Sequence, residues 1–404
     1  MQSAMNWKLV LAVLVCNVLF MSSSYTMLIP FLPLYLTKEL GVSAEDVNIW
    51  SGLVFSASFI VSAIMAPIWG RIADRYGKRL MALRASFLLS ISYMLCGLVQ
   101  SPEQLVIARL IQGFSSGLWP MDLAIMTLYA PQNKVGISLG ILQGVLTAGG
   151  VIGPLLGGIL AESFGMRLSF FIGAGGLFFN FLIFLFIIKE PPQSDASKKT
   201  AKPSSYDTLI KLPLIRNLLI AALIVSMVVM ILQPIITTYV SQLDNTIENI
   251  ILVAGFVFSL GGIAGAVAAP VWGIIGQKFG FIRAILASLC FAALVMIVQG
   301  FQTNLFSFAV CQFLGGLFFS GIHPSINALL AKHTPDNAKG SIFGLQYSFQ
   351  QIGSIVGPLI GGLVATYLGM HYVFYLSGMI FLLLALFVYR HFRSLHAIKS
   401  TLAR

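Results

Sequence analysis

Residues 140–158 read Gly140-Ile-Leu-Gln-Gly-Val-Leu-Thr-Ala-Gly149-Gly-Val-Ile-Gly153-Pro154-Leu-Leu-Gly157-Gly158, and residues 344–362 read Gly344-Leu-Gln-Tyr-Ser-Phe-Gln-Gln-Ile-Gly353-Ser-Ile-Val-Gly357-Pro358-Leu-Ile-Gly361-Gly362. Five glycines and the proline recur 204 positions apart: Gly140, Gly149, Gly153, Pro154, Gly157 and Gly158 return as Gly344, Gly353, Gly357, Pro358, Gly361 and Gly362. The same ungapped offset joins Pro30 to Pro234, Tyr35 to Tyr239, Pro120 to Pro324, Pro131 to Pro335, Asn133 to Asn337 and Gly136 to Gly340. A fixed offset kept over such a length marks an internal duplication. The chain is therefore read as two homologous halves.

The solvent of those halves follows from composition. With 58% hydrophobic and 9% charged residues and a mean hydropathy of +0.92, the chain has too little polar surface to cover a soluble globule. Apolar runs recur at about the 20 residues that a helix needs to cross a bilayer. Twelve are predicted, over 9–34, 50–69, 80–99, 104–127, 137–161, 168–188, 217–240, 250–272, 283–301, 305–330, 341–365 and 372–392. Their apolarity is continuous rather than alternating, which predicts helices and not barrel strands. The first run follows only Trp7 and Lys8 and lacks a small-residue cleavage site, so it is expected to be a retained span. Paired homologous sets of membrane helices are a common plan for secondary transporters, with the substrate site between them.

A net charge of +11 invites a nucleic-acid reading, but the cations sit in alternate loops: Arg71, Arg75, Lys78 and Arg79, then Lys134, then 189–216, then Lys278 and Arg283, then Lys332 and Lys339, then 390–404. The opposite loops hold Lys38 and Arg167. This is the positive-inside pattern, and it places both termini in the cytoplasm. Nucleic acid is not expected as a partner. Cys16, Cys96, Cys290 and Cys311 fall inside predicted spans without metal-ligand spacing, so neither a disulfide framework nor a metal site is expected. Residues 190–216 carry Pro191, Pro192, Ser194, Ser197, Lys198, Lys199 and Pro203, the composition of a linker. They divide the chain into six-helix bundles at 1–189 and 217–404. The remaining loops are too short for an enzyme module, no Walker A phosphate loop is present, and no cofactor is expected.

After the second span the chain reads Gly70-Arg-Ile-Ala-Asp74-Arg75-Tyr-Gly77-Lys78-Arg79, and span four carries Arg109-Leu-Ile-Gln112-Gly113. With the doubled glycine motif these stretches resemble the major facilitator superfamily, and within it the twelve-span drug:proton antiporters; the resemblance covers essentially the whole chain. It implies an all-α membrane fold of two six-helix pseudo-repeats and a proton-coupled exporter of hydrophobic or amphipathic compounds, similar to bacterial multidrug efflux pumps of the inner membrane. It also implies lipophilic small molecules, protons and the bilayer as partners, and function as a monomer. An exporter of one endogenous metabolite, a siderophore or a sugar, is the alternative. In the Gly70–Arg79 stretch, read as a loop, Asp74 among cations is expected to act with Gly70, Arg75, Gly77, Lys78 and Arg79 as a conformational latch through charge-assisted hydrogen bonds. A worn second copy, Pro270 to Gly280, has Gln277 in place of the acid.

The glycine helix, with a small-residue face and an internal proline, is expected to be a close-packed hinge between the halves, its antiporter motif being Gly140, Gly149, Gly153, Pro154, Gly157 and Gly158. The resemblance implicates Arg109 in proton transfer; because arginine keeps its proton, its physical role is a fixed field on a nearby acid. Of the 13 acids, only Asp122 is placed well inside a span. Thirteen residues beyond Arg109, on a straight helix it would lie roughly 20 Å away and on another face. Two readings stand for it, an ion pair with Arg84 of span three or the coupling proton. His323, before Pro324 in span ten, is the third proton-coupling candidate, since histidine titrates near neutrality. In the resembled family spans one, four, seven and ten line the cavity. Here they supply Ser22, Ser23, Ser24, Tyr25, Trp119, Gln233, Tyr239 and Asn327, with Gln346 and Gln350 from span eleven. This aromatic, neutral-polar set suits amphipathic cargo.

Overall fold

Continuous apolarity in lipid obliges the backbone to satisfy its own hydrogen bonds, and helices do so. The structure, a computed structural model, describes residues 6–131, 134–189, 211–243, 249–334 and 339–402, without the side chains of Pro67, Asp74, Val135, Gly136, 339–341 and 392–402. Among the described residues there are sixteen helices. The first eight are α1 (Trp7–Met27), α2 (Leu32–Lys38), α3 (Val47–Tyr76), α4 (Lys78–Leu98), α5 (Pro102–Phe114), α6 (Leu118–Tyr129), α7 (Val135–Phe164) and α8 (Met166–Ile187). Then follow α9 (Pro213–Leu232), α10 (Ile236–Leu243), α11 (Ile250–Phe279), α12 (Phe281–Gly300), α13 (Leu305–Phe319), α14 (Ile322–His333), α15 (Lys339–Tyr367) and α16 (Met370–Leu402).

Among the described residues, eleven helical segments are long and apolar enough to cross a membrane. The exception is the predicted span 104–127, which is divided into α5 and α6, of 13 and 12 residues. The division falls at Gly117, whose φ of 110° is left-handed and closed to most side chains. Carbonyls released by the break are taken up by neighbours. Arg84 donates from Nη1 to Phe114 O at 3.1 Å and from Nη2 to Ser116 O at 2.8 Å, and Trp69 Nε1 donates to Phe114 O at 2.9 Å. The Arg84 guanidinium lies 3.7 Å above the Trp69 ring, a cation–π contact that fixes both donors. Span ten is interrupted more mildly between α13 and α14, where Gly321 keeps a right-handed φ of −80°. There Trp272 Nε1 donates to Leu317 O at 2.8 Å and Ser320 Oγ to the same oxygen at 3.0 Å, a hydroxyl serving where the first half uses a guanidinium.

By proximity the chain forms two compact units, one of Met1–Lys199 with Ile247–Ser259, the other of Thr200–Thr246 with Leu260–Arg404. In the first, α1 packs along α7 and α4 along α8; in the second, α9 packs along α15 and α12 along α16. Equivalent side chains make similar contacts. Tyr35 lies 5.0 Å from Phe170 and donates to Cys96 O at 2.9 Å, and Tyr239 lies 5.0 Å from Phe374 and donates to Gln302 O at 2.9 Å. Arg167 holds Gly97 O at 3.3 Å, and His371 Nδ1 holds Gly300 O at 2.9 Å. The core of the first unit joins Val10, Leu14 and Val18 of α1 to Met81 and Ala82 of α4 and to Leu118 and Ile125 of α6. The second joins Leu219, Ala222 and Val225 of α9 to Leu289 and Ala293 of α12 and to Ile326 of α14.

Candidate functional site

The stretch read from sequence as a loop, Gly70 to Arg79, is mostly helix: α3 continues to Tyr76, and α4 starts at Lys78. No residue between Gly70 and Tyr76 forces the helix to stop. Gly77 alone makes the turn, at φ 103°, and Gly280 repeats it at φ 97° between α11 and α12. The Asp74 side chain lies outside the described residues. Arg79 donates to Ile188 O, and from Nη2 to Leu185 O at 2.7 Å, while Tyr129 Oη donates to Lys189 O at 2.6 Å. Two donors therefore fix the C-terminal end of α8, where the predicted linker begins; most of that linker, 190–210, lies outside the described residues. Arg75 sits over the Tyr76 ring at 5.3 Å, Lys78 is half-buried, and Gly70 faces open space.

The expected hinge helix is α7, and its glycines do three different things. A Cβ on Gly149, Gly153 or Gly157 would collide with Ser22, with Ser23 and Thr26, or with the Met27 carbonyl, so the motif is a seam against α1. Hydroxyls stitch that seam: Ser22 Oγ donates to Leu146 O at 2.7 Å and Thr26 Oγ1 to Gly149 O at 3.3 Å. A Cβ on Gly158 would meet the backbone of Ile251 and Leu252 at 3.0 Å, in the part of α11 that clusters with the first unit, where Ser259 Oγ also donates to Val151 O at 2.7 Å. A Cβ on Gly140 would meet open space. The second copy repeats the pattern. Gly353, Gly357 and Gly361 lie against α9 at Leu223, Met227 and Ile231, and Gly344 is open. The glycine face expected between halves is thus spent chiefly on packing within each unit.

The three proton-coupling candidates occupy separate settings. Arg109 is 4% exposed; Nη1 donates to Gln112 Oε1 at 2.8 Å, and Nε and Nη2 are buried without a bonded partner. Asp122 is fully buried, and Arg84 is not its partner as one sequence reading had it, because Arg84 is spent on the carbonyls of the break. Instead Asn17 Nδ2 of α1 donates to Asp122 Oδ1 at 2.7 Å, and Asn180 Nδ2 of α8 donates in turn to Asn17 Oδ1 and to Asn17 O. Asp122 Oδ2 accepts nothing from the described residues. Neither Asn17 nor Asn180 was singled out from the sequence, although an amide inside an otherwise apolar span was the available signal. His323 Nδ1 lies 3.3 Å from Gln350 Nε2, and its ring meets Phe319 edge-on at 6.1 Å.

Of the cavity candidates, the structure joins two. Gln346 Nε2 donates to Asn327 Oδ1 at 2.6 Å, one helical turn along the same α14–α15 contact as His323 and Gln350. Trp119 is half-buried against the first core, and Gln233 is half-buried at the end of α9. Tyr239 is a 1% exposed core residue, its hydroxyl bonded to Gln302 O and 3.1 Å from His371 Nδ1.

A family model described as Major Facilitator Superfamily matches residues 14–265 and 248–401. The chain is 34% identical over 384 residues to "Multidrug resistance protein MdtG" of Enterobacter lignolyticus (strain SCF1), covering 95% of this chain and 92% of that protein. It is 33% identical over 390 residues to the protein of the same name from Escherichia coli (strain K12 / DH10B), covering 96% and 95%. Among solved structures it resembles a bacterial homolog of the human lysosomal transporter Spinster, with a TM-score of 0.81 at 16% identity over 96% of this chain and 97% of that one. The nucleoside transporter NupG is similar too, with a TM-score of 0.77 at 17% identity over 96% and 99%.

Proposed function

Because this chain belongs to the Major Facilitator Superfamily, we propose that it is a multi-pass secondary exporter of hydrophobic and amphipathic compounds, driven by exchange for protons. The observation that carries the proposal is the 34% identity, over 95% of the chain, to a protein named for multidrug resistance. The doubled glycine seam and the two broken spans supply a physical frame for it. In this reading the bundles are 1–189 and 217–404, the chain sits as a monomer in a bacterial inner membrane with both termini cytoplasmic, and it performs transport, not an enzymatic reaction.

Proton exchange needs a group that gains and loses a proton inside the protein, and Asp122 meets that need best. It is a carboxyl group withdrawn from water, without an ionic partner among the described residues and with one oxygen unoccupied. His323 stands second, and Arg109 acts as a fixed positive field. Amphipathic cargo is assigned to the aromatic and amide set of Trp119, Gln233, Asn327, Gln346 and Gln350. Gly70, Asp74, Arg75, Gly77, Lys78 and Arg79 are proposed as the latch. Expression in an efflux-deficient bacterial host tests the proposal. The chain is expected to raise tolerance to several unrelated lipophilic toxins at least fourfold, Asp74→Asn to cancel most of that gain and Gln277→Ala to leave it. Protection against one compound class alone would favour a dedicated metabolite exporter.

A further inference from the structure

The coupling acid sits at the end of a chain of amides that the family resemblance does not assign. Three polar side chains from three helices meet inside the first unit: Asn17 of α1, Asp122 of α6 and Asn180 of α8, with exposures of 1%, 0% and 0%. Their orientations are forced from one end. The Asn17 carbonyl accepts from Asn180 Nδ2 at 3.1 Å, and a carbonyl oxygen only accepts, so the Asn180 amide must turn its NH2 group toward Asn17. That same NH2 reaches Asn17 Oδ1, which in turn points the Asn17 NH2 at Asp122. Asp122 Oδ1 is thereby occupied by a donor at 2.7 Å, and Oδ2 is left as the oxygen that takes the proton.

We propose that Asn17 and Asn180 are positioning residues that set the proton affinity of Asp122, Asn180 acting through the orientation of Asn17. The inference rests on the reading of Asp122 as the coupling group. A donor facing a carboxyl group favours its ionised form, whereas an amide oxygen in the same place accepts from the protonated form and favours that. With Asn180 in place the Asn17 amide cannot flip. Without it the flip is free, and Asp122 holds its proton more tightly.

The helices packed against α6 are α1, α4 and α7, and α8 reaches the cluster through Asn180. Their charged groups are Lys8 on α1, Lys78, Arg79 and Arg84 on α4, Glu162 on α7 and Arg167 on α8, with Tyr25, Tyr93, Cys16 and Cys96 as further titratable groups. Arg79 and Arg84 bond to carbonyls, Arg167 to Glu39 at 2.9 Å, and Lys8 and Glu162 are exposed. Arg109 on α5 bonds to Gln112. Among the described residues, the side chain that donates a hydrogen bond to the Asp122 carboxyl group is the Asn17 amide.

Infrared titration of the purified full-length protein tests this, with the protonated carboxyl band assigned to Asp122 by its loss in Asp122→Asn. Asn180→Leu and Asn17→Leu are each expected to move the midpoint of that band upward by about one pH unit, the worth of one hydrogen bond to the charged form. Asn180→Gln keeps a donor and should stay nearer the parental midpoint. If the leucine variants do not assemble, Asn180→Ala and Asn17→Ala carry the same expectation with smaller side chains. Unchanged titration in the Asn17 and Asn180 variants overturns the relay, even where stability falls. A separate measurement keeps the two ideas apart. If Asp122→Asn drives dye export from a pH gradient at the parental rate, the coupling assignment fails, while the infrared midpoints still judge the relay.

Discussion

Gly157 and Gly140 sit on one helix and belong to one motif, yet they meet opposite surroundings. A methyl group on Gly157 runs into the Met27 carbonyl, a backbone atom that cannot swing aside, whereas one on Gly140 meets open space. Gly157→Ala is therefore expected to cost about 1–3 kcal/mol by forcing α7 off α1. Gly140→Ala should gain roughly 0.5–1 kcal/mol from helix propensity. Thermal unfolding in detergent reads both, and equal shifts of one sign would remove the seam. This contrast also marks the limit of the sequence at the residue scale. Spacing reveals that Gly140, Gly153 and Gly157 recur, but the partner face is set by how α7 is rotated, and a repeat carries no rotation angle. Asp122 shows the same limit. Its burial is legible from the apolar run around it, while its partner is Asn17, 105 residues away in sequence and invisible to a search confined to charged groups.

The broken spans belong to the element scale. A long apolar run predicts one helix for 104–127, and apolarity does not register a single left-handed glycine; the break becomes visible through the donors gathered around it. Arg84 is the strongest of these, holding two carbonyls while its guanidinium rests on Trp69. Arg84→Gln should cost about 1–3 kcal/mol of thermal stability by leaving the Ser116 carbonyl unpaired, while Phe114 O keeps Trp69 Nε1. Because Arg84 does not pair with Asp122, the double variant Arg84→Gln with Asp122→Asn should show the sum of the single losses. Mutual rescue in that double variant would restore the ion pair inferred from sequence. The worn Pro270–Gly280 stretch teaches the converse lesson: Trp272 and Gly280 keep the structural work of Trp69 and Gly77 although the acid has been lost. Structural and charge-bearing parts of one motif have therefore diverged separately.

Across the whole molecule the duplication is visible at side-chain resolution. Tyr35 and Tyr239 each donate to a backbone carbonyl, as do Trp69 and Trp272, and the two glycine seams pack alike in the two units. The departures from that repetition gather in the first half, where Arg84, Arg109 and Asp122 stand at positions without charged counterparts, which is why energy coupling is assigned there. The central claim is proton-driven export, and dye flux into inside-out vesicles carrying the chain tests it most directly. An acid-inside gradient is expected to drive accumulation of a lipophilic dye at least fivefold above vesicles without the chain. Collapsing the gradient with a protonophore should return the signal to that background. Accumulation that persists after collapse, or that never exceeds the background, would contradict proton-driven export.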